Sequence, residues 1–213
     1  MAASRAPPRT LSTHQARGRQ QRLLRIIGGQ WRGRKFRFPE VDIRPTPDRV
    51  RETLFNWLQG RVEGARCLDL YAGSGALGLE ALSRGAASVV FVEHQRSAVD
   101  ALRALLRDWQ AGHATVVRDE AQHYLSTLSG QAAATDASSD AGAARGFDLV
   151  FLDPPYDSGE LPAAAAALSR GGLARDARIY VEQHIGGQQA LPASWRELRA
   201  GKAGEVRYHL FAP

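Results

Sequence analysis

The stretch FDLVFLDPPYDS ends an apolar run in Asp153, Pro154, Pro155 and Tyr156. Proline has no N–H to give to a ladder, so two in succession stop a strand and leave the chain extended and stiff. The Pro154 carbonyl is then free to accept hydrogen bonds beside the Asp153 carboxylate. Two convergent acceptors suit the two N–H donors of an amino group conjugated to a base. Holding both hydrogens turns the nitrogen lone pair out of the ring π-system and makes that nitrogen a nucleophile. Tyr156 adds a flat face for stacking a base, worth ~1–3 kcal/mol at single-stranded sites. The plainer reading of the same four residues is a strand-ending turn with no chemistry.

Upstream, DLYAGSGALGLEAL sets Gly73, Gly75 and Gly78 in G-x-G-x-x-G spacing between a strand and a helix, the setting of a nucleotide-binding turn. Glu93 ends the next strand, where a carboxylate can accept both hydroxyls of a ribose. These features fit any adenosine-containing cofactor. Asp69, just before the glycines, favours a cationic one: it repels a pyrophosphate but suits the ammonium and sulfonium of S-adenosylmethionine. Asp119-Glu120-Ala121 ends a third strand, where a carboxylate can accept from an adenine amino group. The alternative there is Asp119 capping the following helix and Glu120 in solvent. A methyl donor beside Asp153 makes the chemistry an in-line methyl transfer to an amine, with the barrier lowered mainly by positioning. It requires no metal or covalent nucleophile, and none of the six histidines has a partner at metal-ligand spacing.

These residues need a scaffold that gathers strand ends. From Arg66 onward apolar strands (CLDLY, SVVFVE, ATVVR, FDLVFLD, RIYVEQ) alternate with helical patterns, among them GALGLEALSRG, 97–110 and 121–128. Such alternation implies a parallel sheet covered on both faces, and ELRAGKAGEVRYHLFA implies a terminal antiparallel hairpin. On 97–110, Val99, Leu102, Leu106 and Trp109 share one face. Before the sheet, RPTPDRVRETLFNWL reads as a loop and helix, with Thr46 as N-cap and Pro47 and Asp48 in the first turn. Arg44, Pro45 and Thr46 then lie at a helix amino terminus, where spare N–H groups receive an anion. The segment GQAAATDASSDAGAARG, 130–146, reads as an inserted flexible loop.

The net charge of +6 is unevenly spread: residues 1–37 hold ten Lys and Arg and no acid, so the remainder carries −4. Residues 1–22 have the composition of a disordered basic arm. LLRIIGGQWRGRKFRFP follows as a β-hairpin bearing Arg25, Arg32, Arg34, Lys35 and Arg37, with Trp31, Phe36 and Phe38 between them. A basic arm and ribbon on an acidic body point to a polyanionic partner. The aromatics either stack on bases or pack the ribbon onto the body. The acid-free start is unlike a transit peptide in having only Leu11 as a large aliphatic between Met1 and Gln21. No apolar run spans a bilayer, and the lone Cys67 excludes a disulfide framework and fits a reducing compartment, so a cytoplasmic protein is expected.

Taken in order, RIIGGQWRGRKF, RPTPDRVRETLFNWL, LDLYAGSGALGLEALSRGA and FLDPPY resemble the bacterial small-subunit ribosomal RNA guanine-N2 methyltransferase family of the RsmD type. The likeness runs from Arg25 to the carboxyl terminus. It implies a Rossmann-like class I methyltransferase sheet of seven mostly parallel strands with an antiparallel C-terminal hairpin. It implies S-adenosylmethionine as cofactor, monomeric action, and one guanine of the ribosomal RNA or of an assembled subunit particle as acceptor. By position, Asp153 to Tyr156 correspond to the catalytic tetrapeptide. Asp69, Tyr71, Gly73, Ser74, Gly75 and Glu93 correspond to cofactor-binding elements, with Glu120 and Ala121 at the adenine end. Glu120 stands where the family has Asp. Arg44 and Thr46 correspond to the segment closing over the cofactor, and Arg25, Trp31, Arg32, Arg34, Lys35 and Arg37 to an RNA-binding module over 23–43. The catalytic domain is then 44–213, while the arm and the 130–146 insertion depart from the family pattern. Three other readings stand beside it: a DNA amino-methyltransferase, which lacks room here for a target-reading domain; a nicotinamide oxidoreductase, which leaves Asp153 idle; and a non-catalytic ribosome-assembly binder.

Overall fold

Strands such as VVFV and LVFL are apolar on both faces and are stable only with both faces covered. The computed structural model, which describes residues 21–39, 46–135, 146–155, 158–186 and 190–213, covers them with helices. The elements are β1 Gln21–Arg25, β2 Lys35–Pro39, α1 Asp48–Trp57, β3 Arg66–Asp69, α2 Ala76–Ser83, β4 Ser88–Glu93, α3 Arg96–Asp108, β5 Ala114–Arg118, α4 Ala121–Thr135, β6 Phe147–Leu152, α5 Glu160–Arg170, β7 Leu173–His184, β8 Arg196–Ala203 and β9 Val206–Ala212. One sheet has seven strands in the order β5-β4-β3-β6-β7-β9-β8. Its first five strands are parallel, and β9 and β8 add the expected antiparallel hairpin at one edge.

Each face of the sheet has its own core. Cys67, Phe91, Phe151 and Tyr180 pack against α1, α2 and α3 through Leu54, Phe55, Leu79 and Leu102. Leu68, Val150, Leu152 and Val181 pack against α4 and α5 through Leu125, Leu161 and Leu168. The expected stripe on α3 is buried throughout, with Val99 and Leu102 at 1% exposure or less.

β1 and β2 form a separate two-stranded ribbon, with Leu24 opposite Phe36 and Leu23 opposite Arg37. Alternation turns Phe36 and Phe38 inward, where both are buried, and Lys35 and Arg37 outward. The rings of Trp31 and Phe36 meet Trp109 edge-on at 5.0 and 5.8 Å, contacts worth ~0.5–1.5 kcal/mol each beyond area burial. The firmer attachment is polar. Glu80, wholly buried on α2, accepts the backbone N–H groups of Ile27 and Gly28 at 2.8 and 2.7 Å. Ser83, one turn on, accepts from Trp31 N and donates to the Gly28 carbonyl. Arg84 and the fully buried Arg51 supply the counter-charge to Glu80, at 2.8 and 3.6 Å.

Three expectations are corrected and one element is added. Thr46 does not cap α1: the N-cap is Pro47, without a side-chain bond, because the Thr46 hydroxyl is engaged elsewhere. The expected loop over 130–146 is helical as far as Thr135, since Gln131 and Ala132 to Ala134 are strong helix formers that prolong α4. The ribbon starts at Gln21 rather than 23. α5 was not anticipated; its alanine run favours helix, and Pro162 falls in the first turn, where proline is tolerated. The arm up to residue 20, Arg44 with Pro45, the 136–145 part of the insertion, and Tyr156 lie outside the described residues.

Because Glu80 is the buried partner of Arg51 and Arg84, Glu80→Ala leaves the buried Arg51 with Asp48 as its remaining counter-charge and removes the acceptor for two ribbon amides. Urea unfolding of that variant is expected to show a loss of about 3–5 kcal/mol.

Candidate active site

The parallel strands end together, and four of them end in a carboxylate. Asp69 closes β3, Glu93 closes β4, Asp153 follows β6 and Glu182 lies near the end of β7. Period-two alternation puts each on the face of the apolar residue two positions before it, namely Cys67, Phe91, Phe151 and Tyr180. All four acids therefore share the face covered by α1, α2 and α3. Asp69 is in register with Phe151, and Leu152 with Val181, so Asp153 and Glu182 leave that pair side by side. Asp69, Glu93 and Glu182 are buried and Asp153 is half-buried. Among the described residues no Lys or Arg forms an ion pair with any of the four.

The glycine turn lies over this row. Gly75 caps α2 in the left-handed conformation, at φ 72°, which a side chain resists. At Gly78 a Cβ would stand 2.2 Å from the Phe91 ring, so the residue lets α2 approach β4. Asp69 Oδ2 accepts the Gly78 N–H at 3.0 Å. Glu93 Oε2 accepts from Gly73 at 2.9 Å and Oε1 from Gln95 at 2.7 Å. These acids therefore shape the turn as well as charge it. Burial, opposed by the Gly78 bond and reinforced by Glu93, pushes the Asp69 carboxyl up to about 7.

Thr46 joins the two acids at the other end of the row. Its hydroxyl donates to Glu182 Oε1 at 2.8 Å and lies 3.4 Å from Asp153 Oδ2. The Tyr180 hydroxyl donates to the same Glu182 oxygen at 2.7 Å. Burial first, then the facing Glu182 and Asp69, raise the Asp153 carboxyl well above the usual carboxylate range. Burial also raises Glu182, against the opposing bonds from Tyr180 and Thr46.

The remaining expected residues are placed unevenly. Pro154 is buried and Pro155 exposed beside Asp153. Ser74 is buried in the turn. Tyr71 turns to the opposite face and packs with the α4 and α5 core; burial and Glu160 raise its phenol. Glu120 is exposed and Ala121 buried, while Asp119 accepts the Glu120 N–H and contacts His123 at 2.7 Å. Arg25 is held by Asp48 at 2.6 Å, and the Arg34 guanidinium lies over the Trp109 ring. Trp31 is half-buried against Trp109, which gives it a packing role. Arg32, Lys35 and Arg37 are exposed. Glu182, Tyr180 and Glu80 were not anticipated. A shared signal existed for the first: YVE in β7 repeats the apolar-then-acid ending of FVE and FLD.

A row of carboxylates, three of them buried and none paired with a Lys or Arg among the described residues, is costly unless a cation completes it. S-adenosylmethionine brings both an ammonium and a sulfonium, and the left-handed glycine turn beside the row leaves backbone close enough to approach a ligand, so the residues present fit this cofactor. Fold and site together define an S-adenosylmethionine-dependent methyltransferase of the Rossmann-like class. The profile of the family described as "Conserved hypothetical protein 95" matches residues 24–212, and the chain belongs to that family. It is 44% identical over 191 residues to "Ribosomal RNA small subunit methyltransferase D" of Escherichia coli K12, covering 88% of this chain and 89% of that one. The Haemophilus influenzae protein of the same name is 36% identical, covering 88% and 93%. A solved Escherichia coli structure, 43% identical, superposes with a TM-score of 0.73 over 89% of this chain and 97% of that one.

Asp69 has an ordinary value of 3.8 and a folded value of about 7, so its proton favours the cofactor-free fold. That stability is whole below the lower value and is lost as pH rises through the upper one. Thermal unfolding of the cofactor-free protein should show Tm falling from about pH 4 to about pH 7. Asp69→Asn should flatten the slope without abolishing it, since Asp153 and Glu182 shift in the same direction. S-adenosylmethionine should raise Tm more at the upper pH.

Proposed function

We propose that this protein transfers a methyl group from S-adenosylmethionine to the exocyclic N2 of one guanine in small-subunit ribosomal RNA. In this reading it acts as a cytoplasmic monomer, on the RNA or on an assembling subunit particle. The observation that carries the proposal is Asp153 with Pro154 and Pro155 at the end of β6, adjacent to the strand that leads into the glycine turn. The names of the relatives support ribosomal RNA as the acceptor.

The bound cofactor supplies an electrophilic methyl group on a sulfonium. Asp69, Glu93 and the backbone of Gly73 to Gly75 would hold it. Asp153 and the Pro154 carbonyl accept the two N2 hydrogens and turn the lone pair out of conjugation. Tyr156 stacks on the base. Thr46 closes the side of the site nearest α1. A guanine reaching Asp153 must leave its stack, at a cost of a few kcal/mol that an unpaired base reduces. Lys35 and Arg37 on the outward face of the ribbon, with Arg32 in its turn, meet phosphates. Arg25 and Arg34 are already engaged by Asp48 and Trp109 and hold the ribbon in place.

Asp153→Ala should lower the transfer rate by at least about 100-fold while calorimetry shows S-adenosylmethionine affinity within about threefold. Near-normal turnover in that variant would overturn the two-acceptor mechanism. Replacing Arg32, Lys35 and Arg37 with alanine should weaken RNA binding and flatten its salt dependence by ~0.7 per lost phosphate contact. An unchanged slope would make the ribbon structural only. Mass-spectrometric mapping of methylguanosine in ribosomal RNA from cells lacking the protein identifies the acceptor.

A further inference from the structure

Methylating an exocyclic amine leaves a proton to be disposed of. As the N–CH3 bond forms and the donor's S–CH3 bond breaks, the nitrogen becomes positively charged until one of its two original hydrogens departs as a proton. In a site closed against water, that proton needs an acceptor and a path behind it. Asp153 touches the amine in the proposed reading, and the group behind Asp153 is the Thr46 hydroxyl, 3.4 Å away. Thr46 is itself buried, and its hydroxyl hydrogen is directed at Glu182 Oε1, 2.8 Å away. Glu182 is 3% exposed and is fixed from its own strand by the Tyr180 hydroxyl. The other titratable groups facing this cluster are Asp69 on β3, with Glu93 beyond it on β4, and Tyr208 on β9 next to Tyr180. Among the described residues these facing groups are all carboxyls and phenols and none is a cation, which favours holding a proton.

We propose that Glu182 is a positioning residue for Asp153, linked to it through the Thr46 hydroxyl, and that the two carboxyls together take up the proton shed by the methylated amine. The inference rests on the methyl-transfer reading above. The proton moves from the nitrogen to Asp153 Oδ2. Asp153 then gives it to Thr46 Oγ1 as Thr46 gives its own hydrogen to Glu182 Oε1. Thr46 is unchanged, Glu182 becomes neutral, and Asp153 is again a carboxylate able to accept N–H bonds. The Tyr180 phenol stays protonated throughout, because burial and the Glu182 charge hold it well above its ordinary range.

The test compares the wild-type protein with Glu182→Gln, Thr46→Val and Thr46→Ser, using S-adenosylmethionine and small-subunit ribosomal RNA. Glu182→Gln is expected to lower kcat by about 10- to 100-fold, with KM for RNA and calorimetric cofactor affinity within about threefold. The acid limb of its kcat–pH profile should move to lower pH, because Asp153 loses the facing charge. Thr46→Val should lose a similar factor, and Thr46→Ser should recover most of it. Infrared titration of the cofactor-free protein gives a readout independent of turnover: a protonated-carboxyl band should persist above the ordinary carboxylate range and weaken in Glu182→Gln. A Glu182→Gln enzyme with normal kcat, an unmoved acid limb and an unchanged band overturns the inference while leaving the methyltransferase reading intact. A loss of cofactor affinity that matches the loss of kcat overturns it too, by showing a merely structural role. If the wild-type protein neither binds S-adenosylmethionine nor methylates RNA, the functional reading itself fails, and the infrared titration, repeated with Asp69→Asn to remove that carboxyl's own raised band, still decides whether the two carboxyls share a proton.

Discussion

Electrostatic repulsion among the carboxylates at the end of the sheet is the constraint around which this molecule is arranged. A parallel sheet brings the carboxyl ends of its strands to one edge by construction, and alternation turns Asp69, Glu93, Asp153 and Glu182 to one face of it. The protein mitigates the repulsion in three ways. Backbone amides of the glycine turn bond Asp69 and Glu93, hydroxyls of Thr46 and Tyr180 bond Glu182, and raised carboxyl pKa values keep part of the row protonated. None of these supplies a full positive charge. A cationic ligand does, so the cofactor-free site is poised electrostatically for the cofactor it fits.

The second arrangement is mechanical. The ribbon has little core of its own and owes its position to α2 and α3. Glu80 and Ser83 bind the backbone of its turn, while Trp109 receives its aromatic side chains. The buried Glu80 with Arg51 and Arg84 is expensive in desolvation, and apolar packing alone would hold the ribbon less specifically. Directional bonds from a carboxylate to two successive amides fix orientation as well as contact.

Much of this was legible in the residues, for identifiable reasons. The parallel sheet followed from runs apolar on both faces, and the glycine turn from spacing between a strand and a helix. Asp153 stood out because two prolines followed it. Glu182 did not, because its YVE ending, although it repeats FVE and FLD, has no prolines after it; its meaning comes from Asp153 on the neighbouring strand, a relation set by register. Glu80 was hidden in the same way, inside a helix whose pattern reads as ordinary core. Thr46 misled because Ser and Thr before a helix commonly cap it, and here a tertiary bond to Glu182 outcompeted the local one. Trp31 was ambiguous between a base and a core, and α3 settled where it packs.

One consequence of α2 lies outside chemistry. Its first residue follows the turn that faces the cofactor row, and its last turn carries the side chains that grip the ribbon. The helix has eight residues, or about 12 Å at 1.5 Å per residue. In the proposed reading it acts as a ruler: the span from gripped phosphates to methylated base is set by a rigid rod rather than by a linker. Adding one residue would rotate the grip by about 100° and advance it about 1.5 Å. In that reading, distance measured from a fixed hold selects the nucleotide that reaches Asp153.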